Sequence, residues 1–221
     1  MDKPSAQSHN LTVARTARYF TLGELTRQTR EVWFVLHGYG QLAEYFIRKF
    51  EKVHDEHTLV IAPEALSRFY SRDDFRRVGA SWMTKEERQS EIDDYIAYLD
   101  TLYQKILGEH SEESIRITVV GFSQGTATAG RWVNAGRVRC HRLILWGGYF
   151  ANGLLDLISA DKLPANNTHF VYGTEDEFLV QLDVENYLTS LQAEVPGLQI
   201  TGYTGGHTID SEVLVKHFGS K

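Results

Sequence analysis

The segment that most constrains the fold is Gly121-Phe122-Ser123-Gln124-Gly125, which follows the apolar run Ile115–Val120 directly and precedes the small-residue stretch Thr126–Val133. The run has the β-branched composition of a buried strand, and the stretch after it has the small side chains of a helix packing closely on a sheet. A chain that passes from strand to helix within a few residues turns so sharply that its central residue takes a strained backbone conformation. The residues two positions to either side must then be nearly free of side chain, which accounts for both glycines. Such a turn, a nucleophile elbow, holds the serine hydroxyl clear of the sheet at the start of a helix, where backbone amides favour negative charge.

The rest of the chain repeats the alternation. Strands are expected over Thr12–Leu22, Val32–Leu36, His57–Ala62, Arg142–Trp146, Thr168–Tyr172 and Leu198–Tyr203. Between them, Leu42, Tyr45, Phe46, Phe50 and Val53 recur at helical spacing, and Lys85–Leu107 is a helix with the stripe Ile92, Ile96, Leu99, Tyr103 and Ile106. Thr84 and Glu87 read as its capping box. Further helices are expected around Leu182–Ala193 and from about Ser211. Alternating strands and helices imply a mostly parallel sheet covered on both faces. Without linkers or repeats, residues 1–221 read as one domain, with the polar residues 1–10 as a flexible tail.

Bulk properties narrow the function. A formal net charge of −6 disfavours nucleic acid or an anionic membrane surface as partner. The single cysteine, Cys140, fits a reducing compartment and reads as a small residue at a strand edge. No stretch approaches the ~20 apolar residues of a membrane span, and the amino terminus lacks an apolar leader, so the cytoplasm is the expected location. No His pair or His/Cys cluster has metal-ligand spacing, so neither metal nor cofactor is expected.

A serine hydroxyl needs an adjacent base, and the base needs an orienting carboxylate. After an elbow of this kind the acid and then the base follow the serine along the chain. Of the histidines after Ser123, His141 and His169 open strands at the wrong end of the sheet, and His217 sits in the closing helix. His207 lies in Gly205-Gly206-His207-Thr208, directly after the last strand, and is the candidate base. The loop after the preceding strand offers Glu175, Asp176 and Glu177. Strand-end geometry alone does not choose among them; Asp176 is preferred, with its neighbours as a solvated charge cluster. An oxyanion would be held by the Gln124 amide and by one from His37-Gly38-Tyr39-Gly40, taken as that of Tyr39. His37 itself reads as a structural hydrogen-bonder.

These residues resemble the carboxylesterase/phospholipase family of α/β-hydrolases that includes the acyl-protein thioesterases. The likeness runs in family order through Val35–Gly40, Ala62-Pro63, Ala80-Ser81-Trp82, Val120–Gly125, Gly173–Asp176 and Gly206-His207. It implies an α/β-hydrolase fold without a separate lid domain. It also implies Ser123, Asp176 and His207 as a catalytic triad, and Asp176 over the two glutamates. The chain departs from the family at Gln41, where Asp is usual, at Thr126, where a second Gly is usual, and at Met83-Thr84, where an aromatic and Asp are usual.

The expected activity is hydrolysis of carboxylic esters or thioesters, on a small-molecule or acylated substrate. A peptidase or amidase on the same triad is the alternative within enzymes, and a catalytically silent binding module the alternative outside them. Glu64–Met83 reads as a long irregular loop rich in Phe69, Tyr70, Phe75 and Trp82 and in Arg68, Arg72, Arg76 and Arg77. Its arginines are either a recognition surface for an anionic substrate or a solvated network with Asp73 and Asp74. Trp82, Phe69 and Tyr70 are candidate substrate contacts. So are Tyr149 and Phe150, which with Leu154 and Leu155 would line an open apolar groove.

Overall fold

The computed structural model describes residues 5–71, 74–108 and 115–219. Seven strands form the main sheet: β1 (Tyr19–Leu22), β2 (Glu31–Leu36), β3 (Thr58–Pro63), β6 (Arg116–Phe122), β7 (Arg142–Trp146), β8 (Thr168–Gly173) and β9 (Gln199–Tyr203). Their order is β1-β3-β2-β6-β7-β8-β9. All neighbours run parallel except β1, which pairs antiparallel with β3. β1 is much shorter than the strand expected over Thr12–Leu22, because only Tyr19–Leu22 has a partner, on β3.

Side-chain alternation feeds two cores. Val32, Phe34 and Leu36 of β2 and Ile117 and Val119 of β6 face one side. There they meet α2 (Arg88–Leu107), α3 (Gln124–Ala135) and, through Leu191, α4 (Val184–Glu194). Trp33 and Val35 of β2 and Val120 and Phe122 of β6 face the other. That side is covered by α1 (Ala43–Phe46), the 3-10 turn Ile47–Phe50 and α5 (Ser211–Phe218). The result is an α/β sandwich with helices on both faces. Among the described residues no helix is long and apolar enough to cross a membrane.

Two local expectations are corrected. Glu64–Met83 is not an irregular loop: β4 (Ser67–Tyr70) and β5 (Val78–Ser81) pair antiparallel as a hairpin, in register from Ser67–Ser81 to Tyr70–Val78. The capping box at Thr84 and Glu87 does not form. Glu87 sits in the left-handed region at φ 46°, and the carboxylate of Glu91, one turn into α2, accepts hydrogen bonds from both the amide and the hydroxyl of Thr84.

Strand order reverses between β2 and β6, so the loops leaving their carboxyl ends diverge and open a crevice. The sequence places His37–Gln41 after β2 and the Ser123 elbow after β6, on either side of that opening.

Candidate active site

Ser123 has φ 51° and ψ −118°, a conformation that non-glycine residues adopt only where their surroundings enforce it. Its amide donates to the Trp146 carbonyl at 2.9 Å, which ties the elbow to the neighbouring strand. The flanking glycines are sterically required. A Cβ on Gly121 would stand 2.3 Å from the Gly125 carbonyl oxygen, and one on Gly125 would stand 2.3 Å from that of Leu36. Thr126, where the resembled family has glycine, donates its hydroxyl back to the Ser123 carbonyl at 2.6 Å and so braces the turn.

Asp176 follows β8 and is 1% exposed. One carboxylate oxygen, Oδ1, accepts the Phe178 amide at 3.0 Å, and the other, Oδ2, lies 2.7 Å from Nδ1 of His207, which follows β9. A carboxylate can only accept, so Nδ1 carries the hydrogen, which in the neutral ring leaves the lone pair on Nε2. Glu175 and Glu177 are exposed on either side. The imidazole is held between the rings of Phe122 and Phe178, at 4.8 and 4.6 Å between centroids. Its loop is pinned from below by the Tyr203 hydroxyl, which donates to the Thr208 carbonyl, and by the Trp146 indole N–H, 3.0 Å from the same oxygen. Gly147, just past β7, has φ +61°, and a Cβ there would lie 3.3 Å from His207 Cε1. The ring thus rests over the end of β7, with the elbow over β6 on one side and Asp176 over β8 on the other.

Across the crevice, Gly38 packs against the elbow: a Cβ on it would be 3.1 Å from Ser123 Cβ. Gln41, where the resembled family has aspartate, accepts the Gly38 amide on Oε1 at 2.9 Å, and the Gln41 amide reaches the Gly38 carbonyl at 3.2 Å. Gly40 N–H is spent on the Ala80 carbonyl at 2.9 Å. Among the described residues the amides of Tyr39 and Gln124 have no acceptor. The Gln124 side chain spans to the hairpin, its Oε1 accepting the Trp82 amide at 3.0 Å and its Nε2 donating to the Met83 carbonyl at 2.8 Å.

His37 is fully buried. It donates from Nδ1 to the Gly38 carbonyl at 2.8 Å and accepts the Ala65 amide on Nε2 at 3.1 Å, and burial pushes its pKa down to about 4. It is a neutral structural residue bracing the loop that offers Tyr39. Cys140 donates its thiol to the Arg142 carbonyl at 3.2 Å, and burial pushes its pKa up to about 12, so it is held as the unreactive thiol.

Two expected substrate contacts are buried side chains. Trp82 is 3% exposed; its indole N–H donates to the His37 carbonyl at 2.8 Å, and its ring packs on His37 and Tyr95. It anchors the hairpin end. Phe150 is 5% exposed and packs on Phe170, while Leu154 is fully buried, so neither lines an open groove. The other three are accessible. Phe69 is half-buried and stacks on the exposed Tyr39 at 5.1 Å, Tyr70 is exposed against Phe75, and Tyr149 is exposed against Tyr187. Arg72 and Asp73 lie outside the described residues. Among those described, no group of three or more His, Cys, Asp or Glu side chains could hold a metal.

Neither a protein-family model nor a curated protein sequence matches the chain. Solved structures do. Zea mays acyl-protein thioesterase 2 superposes with a TM-score of 0.65 at 19% identity, over 91% of this chain and 96% of that one. Esterase PE8 gives 0.54 at 18% identity, over 90% and 95%. YahD, solved with malic acid, gives 0.60 at 14% identity, over 91% and 96%. At these identities the likeness shows the fold, and the chain has the α/β-hydrolase fold.

Proposed function

We propose that this chain is a serine hydrolase that cleaves carboxylic esters or thioesters through an acyl-enzyme on Ser123. The observation that carries the reading is the 2.7 Å pairing of the buried Asp176 carboxylate with His207 Nδ1, beside a serine at φ 51°. Asp176 fixes the tautomer, so His207 Nε2 removes the Ser123 proton as Oγ attacks the carbonyl carbon. Negative charge then develops on the carbonyl oxygen, and the Tyr39 and Gln124 amides are the proposed donors to it. His207 returns the proton to the leaving alcohol or thiol, whose bond to the carbonyl carbon breaks. A water activated by His207 next attacks the acyl-enzyme, releasing the acid and regenerating Ser123.

The acyl chain is proposed to be short or medium in length and to lie along the accessible aromatics Tyr39, Phe69 and Tyr149. The neighbours named as a thioesterase and an esterase favour this chemistry over amide cleavage. The proposed compartment is the cytoplasm, where a lone thiol stays reduced. The test is covalent labelling by a fluorophosphonate probe, expected for the wild type and abolished by Ser123→Ala. Folded wild-type protein that takes no label would refute the proposal. A panel of p-nitrophenyl esters should show kcat/KM falling from butyrate to palmitate; a flat profile from acetate to palmitate would rule out a defined acyl site.

A further inference from the structure

Beside the candidate oxyanion loop lies a second concavity of about 530 Å³, lined by Gln41, Leu42, Tyr45, Lys49, Arg76 and Arg77 among others. Among the described residues no carboxylate lines it. In a chain with a net charge of −6, three cationic side chains converge on one cleft with an apolar floor. Their pairing is loose. Arg76 reaches Asp74 only at 4.0 Å and is 88% exposed, whereas Arg77 and Lys49 have no ion pair among the described residues. Glu44, the acid of α1, is not among the residues that line the cleft.

The cleft is coupled to the crevice through backbone. Gly40 N–H donates to the Ala80 carbonyl at 2.9 Å and Ala80 N–H donates to the Gln41 carbonyl at 3.1 Å, so β5 adds to the loop as a short antiparallel bridge. A Cβ on Gly79 would stand 2.5 Å from the Gly40 carbonyl oxygen, which leaves no slack between them. The strand that follows Arg76 and Arg77 is therefore joined directly to the loop that supplies Tyr39. Gly40 lines the cleft, a Cβ on Gly38 would stand 3.1 Å from Ser123 Cβ, and two residues span at most about 7 Å. The Gly40 edge of the cleft thus lies within one small substrate's length of the serine.

We propose that this cleft is a specificity site for an anionic group, a carboxylate or phosphate, carried by the ester or thioester substrate, with Arg77, Arg76 and Lys49 as the recognising cations. The inference rests on the hydrolase reading above and names its substrate class. Arginine suits the role because its planar fork matches a carboxylate or phosphate.

The test compares probes that share the reacting ester or thioester and differ in carrying an anionic group. Butyryl-coenzyme A and S-butyryl-N-acetylcysteamine place the anion on the leaving group or omit it. The 4-nitrophenyl hemiglutarate and butyrate pair does the same on the acyl side. In one of the pairs the anionic probe should have a kcat/KM about 5- to 30-fold above its neutral partner, the range expected of one or two charge-assisted contacts. That ratio should fall toward one in Arg77→Gln/Lys49→Gln, fall in about 0.5 M salt, and invert in Arg77→Glu. Neutral probes cleaved with no anionic preference in either pair would overturn the cleft proposal alone, as would a preference that survives both substitutions and salt. If no neutral probe is cleaved and Ser123 takes no covalent label, the hydrolase reading fails and the cleft proposal falls with it.

Discussion

The neutral state of His37 ties the stability of the candidate oxyanion loop to pH, and the size of that coupling follows from its surroundings. The ring has no exposed surface, and its Nε2 accepts the Ala65 amide at 3.1 Å. Protonation would put a second donor against that N–H and a charge into a site with no room for water. Burial accordingly lowers the pKa from 6.5 to about 4. In the unfolded chain His37 titrates near 6.5, so between that pH and about 4 the unfolded state binds a proton that the folded state refuses. The stabilisation is fully present above pH 6.5 and is lost as pH falls through the interval to about 4. At about 1.4 kcal/mol per pH unit, this amounts to roughly 3 kcal/mol. Urea unfolding of wild type and His37→Gln, measured at steps from pH 7 to pH 4, isolates the contribution, because every other titrating group cancels in the difference. The wild type should lead at pH 7, and its lead should shrink by about 3 kcal/mol at pH 4. A lead that stays constant within about 0.5 kcal/mol across that range would refute the reasoning. It would mean that His37 reaches a solvated conformation and titrates normally.

Three further perturbations probe the candidate site and the sheet that carries it. Asp176→Asn keeps an acceptor for the Phe178 amide but can donate to His207 Nδ1, which favours the wrong tautomer. It should lower kcat by on the order of 10⁴-fold, the cost of that tautomer in serine proteases, with little change in melting temperature, and a loss under tenfold in steady-state assays would speak against the triad. Gly147→Ala forces a side chain into φ +61° and places its Cβ 3.3 Å from the His207 ring. The strain of about 1–2 kcal/mol should lower the melting temperature by about 2–8 °C and slow turnover, and an unchanged calorimetric midpoint would show that the turn accepts a side chain without strain. Arg142, 12% exposed, pairs at 2.9 Å with Glu31, 19% exposed, which also accepts the Trp33 indole N–H. Arg142→Met should cost about 3 kcal/mol in chemical denaturation by stranding that carboxylate, and adding Glu31→Gln should restore part of it; a single-variant cost below about 1 kcal/mol would show the pair to be solvated.

What is legible in the chain is whatever the backbone determines locally. The elbow can be read because Gly121 and Gly125 are demanded by contacts with the Gly125 and Leu36 carbonyls that arise wherever a strand turns so sharply into a helix. His207 can be read because it follows the last strand, although the choice of Asp176 among three adjacent acids draws on the family resemblance. The hairpin β4–β5 escapes such a reading because in Ser67–Tyr70 the half-buried pair, Ser67 and Phe69, and the exposed pair, Arg68 and Tyr70, each combine a polar residue with an aromatic, leaving no apolar period to detect. Part of what holds it is a bridge between Gln41 and Ala80, far apart in sequence. The burial of Trp82 and Phe150 is hidden from the sequence for a related reason. An aromatic beside a candidate site can anchor or bind, and only the register of its segment against distant ones decides which way the ring points. Gln41 shows the same limit from the other side. It is a departure from the resembled family, and its side chain accepts the Gly38 amide while its carbonyl receives β5. One residue therefore closes the turn that offers Tyr39 and docks the hairpin that brings Arg76 and Arg77 beside it, a double role that belongs to the fold and that no local pattern encodes.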